Sequence, residues 1–156
     1  MTKILDAVKP KYKDGRVTVI FACVHNAGRS QMAAAFFHAL ADPSKARALS
    51  AGTEPGASVH PEVLAAMREV GIDLSAARPQ KLTEELAAEA DLLVTMGCGE
   101  QCPYVPGLRR EDWPLRDPKG LPAGEVRLIR DEVKARVEQL VQRMHALVSS
   151  GNPMPD

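Results

Sequence analysis

The chain has 156 residues, and its 20 lysines and arginines are matched by 20 aspartates and glutamates. That balance leaves no global field to draw in nucleic acid or an anionic membrane, so any anion binding has to come from a local device. The length suits one domain that buries its own core without disulfides or a structural metal. No apolar run approaches membrane-spanning length. Met1 to Lys13 is mixed and charged, without the apolar centre of a secretory signal, and a cytoplasmic location is expected. Three cysteines are too few, and odd in number, for a disulfide framework. In a reducing compartment such residues point to catalysis or metal binding. A structural zinc wants four ligands, usually in two close pairs, whereas here one pair stands with a distant single and no histidine beside it. No metal and no cofactor are expected.

In chain order, residues 1–15 read as an N-terminal extension, 16–148 as a single domain and 149–156 as a flexible tail. Arg16 to Cys23 (RVTVIFAC) is a nearly continuous apolar run, the mark of a strand buried on both faces. A turn-like stretch from His25 to Gly28 leads into a helix with Met32, Ala35, Phe36, Ala39 and Leu40 on one face, stopped by Asp42-Pro43. A second short strand covers Ala46 to Ala51. His60-Pro61 opens another helix, in which Val63, Leu64, Met67 and Val70 recur at helical spacing and Gly71 is the stop. Thr83-Glu84-Glu85 caps a short helix to Ala88. Asp91 to Met96 (DLLVTM) is a third buried strand, and a weaker fourth runs near Arg109 to Leu115. From about Gly124, one stripe of Val126, Ile129, Val133, Val137, Leu140, Val141, Met144 and Val148 marks a long final helix. Strands alternating with helices imply an α/β fold with a parallel sheet covered by helices on both faces. In such sheets ligands sit beyond the carboxyl ends of the strands, where Cys23 and Gly97-Cys98 both fall.

The segment Cys23-Val24-His25-Asn26-Ala27-Gly28-Arg29-Ser30 carries the chemistry. A thiolate is a nucleophile, and a run of backbone N–H groups leading into a helix N-terminus can stabilise it and cradle an oxyanion. Arg29 offers a planar fork for a tetrahedral oxyanion. Asn26 tolerates the left-handed backbone of a tight loop, and Ser30 can donate its hydroxyl to the sulfur. A buried cysteine ending a strand also reads as a small core residue. Its placement directly after a buried strand and directly before a helix favours the oxyanion site.

The wording CVHNAGRSQMA resembles the nucleophile loop of the low-molecular-weight protein tyrosine phosphatase fold, in its arsenate reductase branch. Gln31-Met32-Ala33 is typical of the reductases. The resemblance runs from about Val17 to Leu147. It takes in SAGTEPGASVHP (Ser50 to Pro61), TMGCGEQCPYVPG (Thr95 to Gly107) and DWPLRDP (Asp112 to Pro118). It implies a four-stranded parallel sheet flanked by helices, layered as in flavodoxin. It implies Cys23 as nucleophile, Arg29 as oxyanion clamp and Asp117 as general acid, although an aspartate before proline also reads as a plain turn residue. Residues Val24 to Ser30 would bind arsenate, with phosphate or sulfate as analogues.

Reducing As(V) also takes two electrons, which must come from sulfur, and the chain supplies Cys98 and Cys102 for this. The resemblance makes Cys98 the attacker on Cys23 and Cys102 the resolving thiol, with thioredoxin as electron donor. Residues four apart on a regular helix have Cβ atoms roughly 5–6 Å apart, whereas a disulfide wants about 3.8 Å. Gly97 to Pro106 is therefore expected to change conformation on oxidation.

The chain departs from the wider family in places. Lys119-Gly120 follow Asp117-Pro118 where phosphatases place aromatic residues, and Ala34 stands where some reductases bind potassium through an acidic side chain. His25 replaces a glycine, with loop packing and proton handling both open. Trp113 and Tyr104 read as packing aromatics that could also wall a pocket. His38 and His145 read as surface or satisfied core residues on helices, His60 as an N-terminal helix flank, and Arg109-Arg110 and Arg127 to Arg136 as solvated faces. Three alternatives stand beside the relay. One is a reductase coupled to mycothiol or another small thiol, one a phosphatase that would need neither Cys98 nor Cys102, and one an oxyanion-binding regulator without turnover.

Overall fold

The computed structural model describes residues 16–97 and 105–150, with side chains in the last helix described as far as Met144. The elements follow as β1 (Val17–Cys23), α1 (Arg29–Leu40), β2 (Ala46–Gly52), α2 (Pro61–Glu69), α3 (Glu84–Ala87), β3 (Leu92–Thr95), β4 (Arg109–Asp112) and α4 (Ala123–Ser150). All four strands are parallel, in the order β2-β1-β3-β4. All seven residues of β1 are buried, as its unbroken apolar run requires of an inner strand. Chain order reverses between β1 and β3, which opens a crevice at their carboxyl ends. The register there pairs Cys23 with Gly52 and Ala22 with Thr95.

Alternation along β1 divides the core in two. Val19 and Phe21 face Met32, Phe36 and Phe37 of α1 and Val133, Val137 and Leu140 of α4. Ile20 and Ala22 face the other way, onto Leu82, Ala87 and Ala90 around α3. Phe21 meets Phe37 edge-on at 5.9 Å and Trp113 at 5.7 Å. The stripe foreseen on α4 is buried from Val126 to Met144, and Val148 lies beyond the described side chains. Pro61 opens α2, and Gly71 after it takes φ +82°. Thr83 Oγ1 caps α3 by accepting from Leu86 N at 3.0 Å. β4 is an exposed edge strand. No described helix is long and apolar enough to cross a membrane.

Three expectations need correction. On α1 the foreseen stripe fails at its far end, where Ala39 and Leu40 are exposed, while Ala33, Ala34 and Phe37 are buried. The first turns of α1 pack against the sheet, α4 and the nucleophile loop at once, so burial there follows position along the helix more than it follows one face. Likewise Val70, just past α2, is exposed.

Arg130 is not on a solvated face either. It is buried and donates to Ala66 O at 3.0 Å and to Glu69 Oε1 at 2.8 Å. Arg127 grips the same carboxylate at 2.8 Å, which joins α4 to α2. These hydrogen bonds, Arg127 first and Arg130 second, hold the Glu69 carboxyl down at about 2. A depressed carboxyl stabilises the fold above its unfolded-state pKa and loses that effect as the pH falls through the folded-state value. Glu69→Gln should therefore unfold at lower urea than the parent at pH 7. The gap should shrink between pH 4.5 and about 2; a gap that stays constant over that range would contradict the ion pairs' role.

Candidate active site

The loop between β1 and α1 is held by its carbonyl groups. Cys23 O accepts from Thr53 N at 3.3 Å, Val24 O from Glu54 N at 2.8 Å, His25 O from Gly56 N at 2.9 Å and Ala27 O from His60 N at 2.9 Å. Asn26 O accepts from Gln31 Nε2 at 3.0 Å, and Gly28 O from Met32 N at 3.0 Å. In a planar trans peptide the N–H points opposite to the C=O. Six carbonyls tied to the surroundings thus leave the N–H groups of residues 24 to 29 turned the other way, and none of those six donates within the described residues. Such a set of converging donors is an anion nest, and α1 begins directly behind it.

The loop closes this tightly because Gly52 lies beneath it. A Cβ on Gly52 would stand 2.6 Å from Val24 O and 2.9 Å from Asn26 N. Asn26 takes φ +52°, the left-handed conformation that asparagine tolerates better than most residues. Cys23 is 2 % exposed, and its Sγ lies 2.9 Å from Ser30 Oγ. Asn26 Nδ2 donates to the same hydroxyl at 2.7 Å.

Arg29 is buried at the start of α1. Its Nη1 donates to Leu115 O at 3.0 Å, and its Nη2 lies 3.9 Å from Asp117 Oδ2. Gly97, at φ +88°, lies so close that a Cβ there would stand 2.6 Å from Arg29 Nη1. The guanidinium is therefore fixed between the end of β3 and residues 115–117. Asp117 sits in the turn that the Asp-Pro pair suggests, with its side chain beside Arg29. Its Oδ1 accepts from Lys119 N at 3.0 Å in a turn, while Oδ2 faces Arg29 and the side chain stays half-exposed. Pro118 covers the nucleophile loop, since a Cβ on Gly28 would meet its Cγ at 2.9 Å. Glu62 accepts from Gly120 N and so ties this turn to α2. Backbone hydrogen bonds, from its own N–H and then from that of Gly120, lower the Glu62 carboxyl below its ordinary range.

Cys23, Arg29, Ser30 and the loop residues 24 to 28 are thus gathered at one sheet edge, with Asp117 beside Arg29. Cys98, Cys102 and Tyr104 lie outside the described residues, as does most of the segment expected to move. The chain leaves β3 towards Cys98 from beside the loop, where Met96 N donates to Ala22 O at 2.7 Å. His25 packs the loop, its Nδ1 lying 2.9 Å from Glu54 O. Trp113 stacks on Phe21 and donates Nε1 to Glu111 Oε1 at 2.7 Å, so it is a core aromatic and not a pocket wall. His38 bonds Ala48 O at 3.0 Å, and the side chain of His145 is outside the described set. Among the described residues, no three His, Cys, Asp or Glu side chains converge as a metal site.

Sequence reasoning missed Gly52, Gln80, the Leu115 carbonyl and the close approach of Gly97 to Arg29. A glycine closing a strand is a legible sign of close backbone approach. Gln80, whose N–H donates to Asn26 Oδ1 at 3.0 Å, is 54 positions away and gave no local signal.

Residues 18–150 match the family model described as low molecular weight phosphotyrosine protein phosphatase. A putative arsenate reductase of Halobacterium salinarum is 37% identical over 77% of this chain and 87% of its own length. A glutaredoxin arsenate reductase of Synechocystis is also 37% identical, over 81% of this chain and 97% of its own. Among solved structures, a thioredoxin-dependent arsenate reductase of Corynebacterium glutamicum superposes with a TM-score of 0.70 at 36% identity, covering 84% of this chain and 62% of that one.

A tetrahedral anion seated in the nest should shield the neighbouring thiol, so phosphate should slow alkylation of Cys23. Gly52→Ala must push the loop open and should weaken this protection by about tenfold or more, the worth of one charge-assisted hydrogen bond. Equal protection in the variant would contradict the close fit of the loop.

Proposed function

The chain belongs to the low molecular weight phosphotyrosine protein phosphatase family and is an arsenate reductase, and from that premise we propose a three-cysteine relay as its mechanism. Arsenate sits among the N–H groups of residues 24 to 29, with Arg29 sharing its negative charge. The Cys23 thiolate attacks arsenic and displaces one hydroxyl group of the hydrogen arsenate, to which Asp117 gives a proton so that it leaves as water. The Cys98 thiolate then attacks Cys23 Sγ. The sulfur–arsenic bond breaks with its electron pair passing to arsenic, arsenite departs, and a Cys23–Cys98 disulfide remains. Cys102 attacks Cys98, freeing Cys23 and leaving a Cys98–Cys102 disulfide for thioredoxin to reduce.

The observation that carries the first step, attack by Cys23 on a bound oxyanion, is the nest itself, with a buried sulfur beside it and each of its six carbonyls engaged elsewhere. A hydrolytic phosphatase would use the same nest and need no further thiol. The two extra cysteines, which follow β3 in the sequence, favour reduction. The Synechocystis relative is named for glutaredoxin and the Corynebacterium structure for thioredoxin, so the donor is the point on which a second reading stands.

NADPH oxidation with arsenate, thioredoxin and thioredoxin reductase should proceed with the parent protein and cease in Cys23→Ser, Cys98→Ser and Cys102→Ser. Turnover that survives Cys102→Ser, or that starts only with glutaredoxin and a small thiol, would overturn the relay while leaving the chemistry at Cys23 intact.

A further inference from the structure

We propose that Gln31 is a positioning residue for Cys23, because it fixes the amide of Asn26 so that the Ser30 hydroxyl can donate only to the sulfur. This deepens the reading of Cys23 as the nucleophile and rests on it. The argument is a count of donors and acceptors. The N–H of Gln80 is a backbone group that can only donate, and its partner at 3.0 Å is Asn26 Oδ1. That contact settles which end of the Asn26 amide is oxygen, a choice that side-chain shape alone leaves open. The NH2 end must then face Ser30 Oγ, at 2.7 Å. With a donor already pointing at its oxygen, Ser30 turns its one proton to the remaining neighbour, Cys23 Sγ at 2.9 Å.

Gln31 locks this arrangement. Its Nε2 lies 3.0 Å from Asn26 O and 3.3 Å from Asn26 Oδ1, both acceptors, so the side chain has to present its NH2 end. Gln31 is 5% exposed, and the donor it supplies satisfies a buried carbonyl on a residue held in the left-handed conformation. Gln31 also borders an open cavity of about 450 Å³ between α1, β2 and residues 72–78, which gives a replacement side chain room to settle. A hydrogen-bond chain with one fixed direction thus runs from Gln31 and Gln80 through Asn26 and Ser30 to the thiol. Its last link is a hydrogen-bond donor aimed at the sulfur that acts as nucleophile.

The test reads the thiol directly and without arsenate, so that its failure is separate from failure of the reductase reading. In a Cys98→Ser/Cys102→Ser background only Cys23 reacts with iodoacetamide. Gln31→Met removes the donor and should slow alkylation at neutral pH by about fivefold or more. Gln31→Glu places a carboxylate against two oxygens, which favours its protonated form, and protonation restores an O–H donor. The ratio of Gln31→Glu to parent rates should therefore rise as the pH falls, whereas the Gln31→Met ratio should not. Parent-like alkylation in Gln31→Met, or no acid rescue in Gln31→Glu, would overturn the proposal. If the glutamate variant does not fold, Gln31→Met decides alone.

Discussion

An anion nest can form only where the chain satisfies its carbonyl groups elsewhere, because each peptide that turns its N–H towards a ligand turns its C=O away. In this protein that requirement organises the whole carboxyl edge of the sheet. Residues 53–60 run close enough to supply Thr53, Glu54, Gly56 and His60 as donors, and His60 is also the residue from which α2 starts. Gly52 has no side chain because the loop lies against it. Gln31 is buried at the start of α1, where it supplies Asn26 O with a donor that no backbone N–H among the described residues provides. The polar residues Arg29, Ser30 and Gln31 fill a helix turn that an ordinary core would give to apolar side chains. Leaving any one of these carbonyls unpaired would cost about 1–3 kcal/mol, so the loop is specified as a unit.

Much of this was legible in the sequence. The strands announced themselves because parallel strands buried on both faces must be apolar throughout, and RVTVIFAC and DLLVTM leave little other reading. The α4 stripe was equally plain, since one face of a long helix covers the sheet. The nucleophile loop could be read because its residue types have few other joint uses. What could not be read depends on distance along the chain. Gln80 reaches Asn26 across 54 positions and Leu115 O reaches Arg29 across 86, and no local pattern encodes either contact. The stripe assigned to α1 failed for a related reason: periodicity describes a helix lying on a surface, and the first turns of α1 pack against the sheet, α4 and the nucleophile loop at once. Arg130 looked like one more charge on a basic helix face until Glu69 and the Ala66 carbonyl were found beneath it.

The geometry and the electron count bear on different parts of the reaction. A nest with a thiol at its base suits any tetrahedral oxyanion and by itself does not separate hydrolysis from reduction. The separation comes from sulfur chemistry, since two electrons passed to arsenic must leave a disulfide behind. The reversal of chain order between β1 and β3 brings the ends of these two strands together. Cys23 closes the first of them, and the chain runs on from the second to Cys98 and Cys102. The fold's topology thus brings the described ends of β1 and β3 side by side, and the proposed relay needs its thiols close together.

The most direct test of the account is a single turnover of the fully reduced protein with arsenate and no external reductant, followed by arsenite quantitation and mapping of the cysteines by mass spectrometry. The relay requires arsenite equal to the protein present, Cys98 and Cys102 joined, and Cys23 returned as a free thiol. Absence of arsenite until an external thiol is added, or arsenite formed with Cys98 and Cys102 both still reduced, would contradict it.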